Sequence, residues 1–268
     1  MLPEHLDAST AQFYRDAMYV LQRERVPFLV GGAYAFERYT GVSRHSKDFD
    51  IFVHQRDVER ALSALATLGC HTEMTFPHWL GKGYLGEEFV DIIFASGNGV
   101  AVVDDLWFQH ATRSRVLGVD TLLIPAEEMI WSKAFIMERE RFDGADVAHI
   151  LHARADQLDW ERLLWRFDRH WRVLYAHLVL FGFIYPAERT RIPRAVLRRC
   201  AADLDRESAA ASDETTLCQG TILSREQYLP DLKRGYEDAR RRDDIHMTDD
   251  DIALWTAGIA NDGAGVRR

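Results

Sequence analysis

The chain has 268 residues, a formal net charge of −9, a pI near 5.7, and 47% hydrophobic residues including seven tryptophans. That is ample material for a packed core in one large domain or two smaller ones, which excludes a disordered chain, and the acidic balance excludes a protein broadly coated in nucleic acid. Three scattered cysteines without metal spacing (Cys70, Cys200 and Cys218), the lack of a basic-then-apolar leader and the lack of any membrane-length apolar run together predict a cytoplasmic protein with reduced thiols.

Residues 8–25 read as a first helix, capped by Ser9 or Thr10, with Phe13, Ala17, Val20 and Leu21 at helical spacing. Pro27 ends it and launches the apolar run Phe28-Leu29-Val30, which stops at Gly31-Gly32. A short helix over 33–39, closed by Gly41, leads to a second apolar run, Asp48-Phe49-Asp50-Ile51-Phe52-Val53. The order is strand, glycine turn, helix, strand.

Side chains alternate along a strand, so Asp48 and Asp50 share one face while Phe49 and Ile51 point to a core. Two half-buried carboxylates side by side are unfavourable unless a cation or a proton offsets them. Mg²⁺ suits such a pair, because it takes a few carboxylates together with substrate phosphate oxygens. Glycines let the backbone approach a ligand, and a helix start presents N–H groups to an anion. Either element alone is compatible with a plain turn or a solvated strand end, but their combination points to a site.

Residues 56–68 predict a helix stopped by Gly69, residues 70–76 a strand, and 78–86 a loop or a short pairing strand. The next apolar strand, Phe89-Val90-Asp91-Ile92-Ile93-Phe94, carries one embedded acid, and Asp91 points away from the face of Val90, Ile92 and Phe94. An isolated acid there is costly unless paired or metal-bound, so Asp91 is the third candidate. Glu87 and Glu88 read as exposed, and Ser96-Gly97-Asn98-Gly99 is a turn.

With these residues on the page, the stretch resembles the nucleotidyltransferase superfamily that includes DNA polymerase beta and the antibiotic nucleotidyltransferases. The superfamily signature is a hydrophobic residue, a Gly-Gly or Gly-Ser pair, a spacer, an Asp-x-Asp, then a later acid. Here it falls on Val30, Gly31, Gly32, Asp48, Asp50 and Asp91, with fifteen residues between Gly32 and Asp48. The Arg44-His45-Ser46-Lys47 approach is similar to that of aminoglycoside and lincosamide nucleotidyltransferases. Gly32 stands where many relatives carry serine, which implies loss of a hydroxyl contact to the terminal phosphate. The resemblance covers about residues 26–150. It implies an α+β fold: a small mixed sheet flanked by helices, with a mainly helical C-terminal region. It also implies a catalytic domain over 1–150 and a helical domain over 151–268 that takes part in acceptor binding.

Beyond the motif, residues 116–124 predict one strand interrupted by Gly118, and Pro125 starts a helix over 126–141 with Ile130, Ala134 and Met137 as its apolar stripe. Asp143 caps another helix. The segment from Lys133 to Asp146 resembles one in abortive-infection and toxin-type nucleotidyltransferases, where the lysine contacts triphosphate and an acid assists. On the residues alone, Lys133 fits either a phosphate contact or a solvated helix face, and Asp146 fits a plain N-terminal helix acid. Residues 156–185 read as helical, their aromatics Trp160, Trp165, Phe167, Trp171, Tyr175, Phe181 and Phe183 as core. The basic stretches 189–199 and 233–242 read as solvated faces, or as a groove for RNA or a protein if they line up with the aspartates.

The resemblance implies metal-dependent transfer of NMP from a nucleoside triphosphate such as ATP to a hydroxyl acceptor, with release of pyrophosphate. Asp48, Asp50 and Asp91 would be the catalytic and metal-binding set for Mg²⁺ or Mn²⁺. Gly31, Gly32, Lys47 and Lys133 would bind nucleotide, with Arg44, His45 and Asp146 as further candidates. The acidic charge favours a small-molecule acceptor. A toxin-like enzyme acting on RNA or protein, and a catalytically silent nucleotide-binding module, are the alternatives. No membrane partner is expected, and the oligomeric state stays open.

Overall fold

The computed structural model describes residues 6–43, 48–210 and 216–262, with side chains as far as residue 257. It forms two compact units, Met1–Pro125 and Ala126–Arg268. The first carries a seven-stranded mixed sheet of β1 (Leu29–Val30), β2 (Asp48–Phe52), β3 (His71–Phe76), β4 (Leu80–Leu85), β5 (Glu88–Ile93), β6 (Thr112–Val116) and β7 (Val119–Leu123). Their order is β3-β4-β5-β2-β1-β7-β6. β2 runs parallel to β5 and β1 to β7, and the remaining neighbours are antiparallel. Helices α1 (Ala8–Arg23), α2 (Gly32–Thr40), α3 (Val58–Ala66) and α4 (Asp105–Gln109) complete the unit. The architecture is α+β, as the sequence predicts.

The alternation in β2 and β5 decides where the core sits. Phe49, Ile51, Val90 and Ile92 are fully buried on one face of the sheet. Tyr14 from α1 stacks on Phe49 at 4.7 Å between ring centroids, and Tyr34 from α2 meets the same ring edge-on at 5.0 Å. Two aromatic contacts thus clamp the strand between its two aspartates. On β4, Gly81 and Gly83 leave room for Leu62 and Leu65 of α3, within 3.1 and 2.8 Å of where their Cβ atoms would lie.

Two local expectations shift. The cap of α1 is Asp7, whose carboxylate accepts from the Thr10 N–H at 2.8 Å, whereas Ser9 and Thr10 sit inside the first turn. Residues 116–124 are not one strand: Leu117 (φ 50°) and Gly118 (φ 88°) form a two-residue turn that folds β7 back on β6.

The second unit holds α5 (Ala126–Ala134), α6 (Gly144–Arg154), α7 (Trp160–Phe167), α8 (Trp171–Ile184), α9 (Arg194–Ser208), α10 (Leu229–Leu232) and α11 (Asp249–Asp262). A parallel ribbon pairs β8 (Leu217–Cys218) with β9 (Glu237–Asp238). The helix expected to reach residue 141 stops at Ala134, and an antiparallel bridge between Met137 and Phe142 turns the chain into α6. Residues 156–185 are two helices, because Asp168 takes φ 39° between α7 and α8. Phe167 and Phe181 are fully buried as expected, but Trp165 and Phe183 are 59% and 83% exposed and lie outside the core. Residue 150 falls inside α6, which packs with α5 and α8. No helix among the described residues is long and apolar enough to cross a membrane.

Candidate active site

The parallel pairing of β2 with β5 sets Asp48 opposite Phe89 and Asp50 opposite Asp91. Register partners in a ladder share a face, so Asp48, Asp50 and Asp91 all project from the side of the sheet opposite Phe49 and Ile51. Asp48 and Asp50 are half-buried and Asp91 is 8% exposed. The three acids named from the sequence are therefore neighbours on one surface.

The glycine pair is packed against them. The Gly31 N–H donates to the Asp50 carbonyl at 2.9 Å, which commits that amide to the sheet. A Cβ on Gly31 would come within 2.2 Å of the Phe52 ring. Gly32 has φ +52°, and a Cβ there would lie 1.7 Å from Asp50 Oδ2. The Asp50 carboxylate occupies the volume a side chain would need. This is the physical reason for a second glycine where a serine was the familiar alternative.

Sequence reasoning missed Lys82. On β4 it stands directly opposite Asp91, and its Nζ donates to Asp91 Oδ1 at 2.7 Å. The same ammonium lies 4.1 Å from the centroid of the Phe89 ring, a cation–π contact on the acid-bearing face. Burial raises the Asp91 pKa above the ordinary carboxylate value, the Lys82 charge and hydrogen bond pull it down, and Asp48 raises it again. Burial wins. The spacing Gly81-Lys82-Gly83 was the available signal, since strand alternation would set Lys82 apart from both glycines.

Among the described residues, no group of three or more His, Cys, Asp or Glu side chains is arranged to hold a metal ion. The three-aspartate set is present in register, but one Asp91 oxygen is turned to Lys82. Two half-buried carboxylates on one strand, Asp48 and Asp50, still fit a hard divalent cation that completes its shell with phosphate oxygens and water. Lys47, Arg44 and His45 lie outside the described residues.

In the second unit, Lys133 Nζ is held by Asp143 Oδ2 at 2.9 Å and Asp146 Oδ2 at 2.8 Å. Arg141 also donates to Asp143, at 3.0 and 3.1 Å. Burial raises the Asp143 pKa, but Arg141 and Lys133 outweigh it and hold the carboxyl below its usual range. Asp143 precedes α6 without capping it through its side chain, because that carboxylate is engaged by the two cations.

Neither a protein-family model nor a curated protein matches the sequence. Among solved structures, the chain is similar to the antibiotic-resistance factor ANT(2'')-Ia, at 15% identity and a TM-score of 0.41 over 76% of this chain and 99% of that one. It is also similar to the lincosamide antibiotic adenylyltransferase LnuA, at 14% identity and a TM-score of 0.40 over 55% and 98%. A nucleotidyltransferase-like protein of Helicobacter pylori gives 13% identity and a TM-score of 0.37 over 77% and 100%. At such distances, what those proteins bind or modify is theirs alone.

Proposed function

We propose that this chain is a nucleotidyltransferase: it moves NMP from a nucleoside triphosphate to a hydroxyl acceptor and releases pyrophosphate. The observation that carries this reading is the register of Asp50 with Asp91, with Asp48 on the same strand face and Gly32 seated against the Asp50 carboxylate. A packing role does not explain three acids gathered on one face of an otherwise apolar strand pair.

In this reading Asp48 and Asp50 hold a divalent cation, Mg²⁺ or Mn²⁺, which supplies charge neutralisation for the triphosphate and its leaving group. The backbone that opens α2 after Gly31 faces the phosphates, since amides of a first helical turn lack intrahelical acceptors. Asp91 takes the proton of the acceptor hydroxyl as its oxygen attacks the α-phosphorus. The bond from that phosphorus to the bridging oxygen breaks, and pyrophosphate leaves with the electron pair. Burial makes Asp91 a stronger base than an exposed aspartate, and Lys82 favours its ionised form. Lys47 is the nearest cation in sequence to Asp48 and serves the phosphates in this proposal. Lys133, a phosphate ligand by resemblance, is engaged by Asp143 and Asp146 within the second unit.

Nucleotide chemistry is assigned to the sheet-bearing unit and acceptor recognition to the helical one. The acceptor is proposed to be a small molecule, in keeping with the net charge of −9. Calorimetric titration of each nucleoside triphosphate with Mg²⁺, on wild type and on Asp48→Ala/Asp50→Ala, tests the reading. Metal-dependent binding that the variant loses is the expected result. A folded wild type that binds none of the four, with RNAs and antibiotics supplied as acceptors, would sink it.

A further inference from the structure

Lys82 is placed with more care than a surface lysine. The β4–β5 pairing fixes its Cα directly across from Asp91, and the Gly81 and Gly83 positions let α3 press on the back of the strand. Its side chain is 17% exposed. Asp91 Oδ1 at 2.7 Å and the Phe89 ring at 4.1 Å hold the ammonium from two directions. Compact ammonium ions are strongly hydrated, so a lysine surrenders its water only where other groups replace it. Here a carboxylate and an aromatic face do so.

The consequence concerns charge. Asp48, Asp50 and Asp91 bring three negative charges to one sheet face. The Lys82 ammonium is already the counter-charge of Asp91 and occupies one of its oxygens, which leaves Asp48 and Asp50 as the pair offered to a divalent ion. Without that ammonium, a negative charge and an open carboxylate oxygen would remain beside the first ion, which is what draws a second divalent cation into a two-metal site.

We infer that Lys82 stands in the place of a second metal ion: it is the built-in counter-ion of Asp91, and the site loads a single divalent cation, on Asp48 and Asp50. This rests on the nucleotidyl-transfer reading and refines it. Lys82 acts as a positioning residue through Asp91. It keeps one carboxylate oxygen occupied and leaves the other for the acceptor proton.

The test counts enzyme-bound Mn²⁺ by electron paramagnetic resonance, in the presence of the α,β-methylene analogues of the four nucleoside triphosphates. Wild type and Lys82→Arg are expected to hold one ion. Lys82→Met, which keeps an apolar stem of similar length, is expected to hold two, and Lys82→Met/Asp91→Asn one again. Thermal melts establish that each variant is folded. Should Lys82→Met not fold, Asp91→Asn decides, because a carboxylate that is no metal ligand can be removed without changing the count of one. Two ions in wild type, one in a folded Lys82→Met, or an ion lost in Asp91→Asn would each overturn the inference and leave nucleotidyl transfer standing. No ion in wild type with any analogue would overturn both.

Discussion

The carboxylate of Asp50 fills the volume that a Cβ on Gly32 would need: a side chain there would begin 1.7 Å from Asp50 Oδ2. Replacing Gly32 by serine therefore does more than add a hydroxyl. The backbone at φ +52° would carry a Cβ, at about 1–2 kcal/mol of strain, and Asp50 would have to move. Gly32→Ser and Gly32→Ala are both expected to weaken Mg²⁺-dependent nucleotide binding by roughly tenfold or more, equivalent to about 1.4 kcal/mol. Calorimetry on the two variants checks this. Binding restored by serine alone would show that the hydroxyl contact outweighs the displaced carboxylate.

The division of labour between the aspartates gives a second expectation. With Mg²⁺ and nucleotide at about a hundred times their dissociation constant, wild type should gain about 2.7 kcal/mol of stability. Asp48→Asn and Asp50→Asn should lose that gain. Asp91→Asn should keep most of it while losing turnover, because Asp91 is engaged by Lys82 at 2.7 Å. Thermal melts with and without the ligands separate the two classes.

These relationships were unevenly legible in the sequence. The shared face of Asp48 and Asp50 follows from a period of two, and Asp91 stands out as an acid inside an apolar run. Lys82 did not stand out, since its glycine neighbours signal a loop and only the β4–β5 pairing brings it to Asp91. In the sequence Gly118 looks like an interruption within a strand, although with Leu117 it is the turn itself. The helix of Lys133 ends early at Ala134, where Met137 bridges Phe142 and its N–H donates to the Leu223 carbonyl at 3.1 Å, a long-range bond that local periodicity cannot show. Trp165 and Phe183 look like core aromatics in the sequence, whereas their place on the helices leaves them exposed.

A buried ionic core in the helical unit supports a third prediction. Glu128 is fully buried and takes Arg166 Nε at 3.0 Å as well as Arg162. Arg162 also pairs with Glu127 at 2.6 Å, and Arg166 lies 5.0 Å from the Trp131 ring centroid. Removing the central carboxylate leaves two guanidinium groups short of a partner away from water. Glu128→Ala is expected to cost about 3–5 kcal/mol in urea unfolding, whereas a surface pair such as Arg115 with Asp120 should cost under about 1 kcal/mol.

The pH dependence of stability should carry the mark of His177. Its Nε2 lies 2.9 Å from the Ala134 carbonyl, the side chain is buried, and Phe142 stacks on the ring at 6.0 Å between centroids. Burial lowers its pKa and the hydrogen bond raises it less, so the folded value falls below the ordinary value of about 6.5. His170 is lowered as well, again mainly by burial. Below pH 6.5 the unfolded chain binds protons that the folded one declines, and stability falls as the pH drops. Each histidine contributes at most about 1.4 kcal/mol per pH unit to that fall. Asp143 and Asp238, whose pKa values are lowered, lose their contribution only at more acid pH, beyond this window. Asp91 has the opposite sign, because its raised pKa makes the folded state the better proton binder. It is common to wild type and variant, so their difference isolates the imidazole. Melting wild type and His177→Gln between pH 7.5 and 5 should show the variant's stability declining less steeply. Parallel curves would mean that the folded protein accommodates the His177 proton.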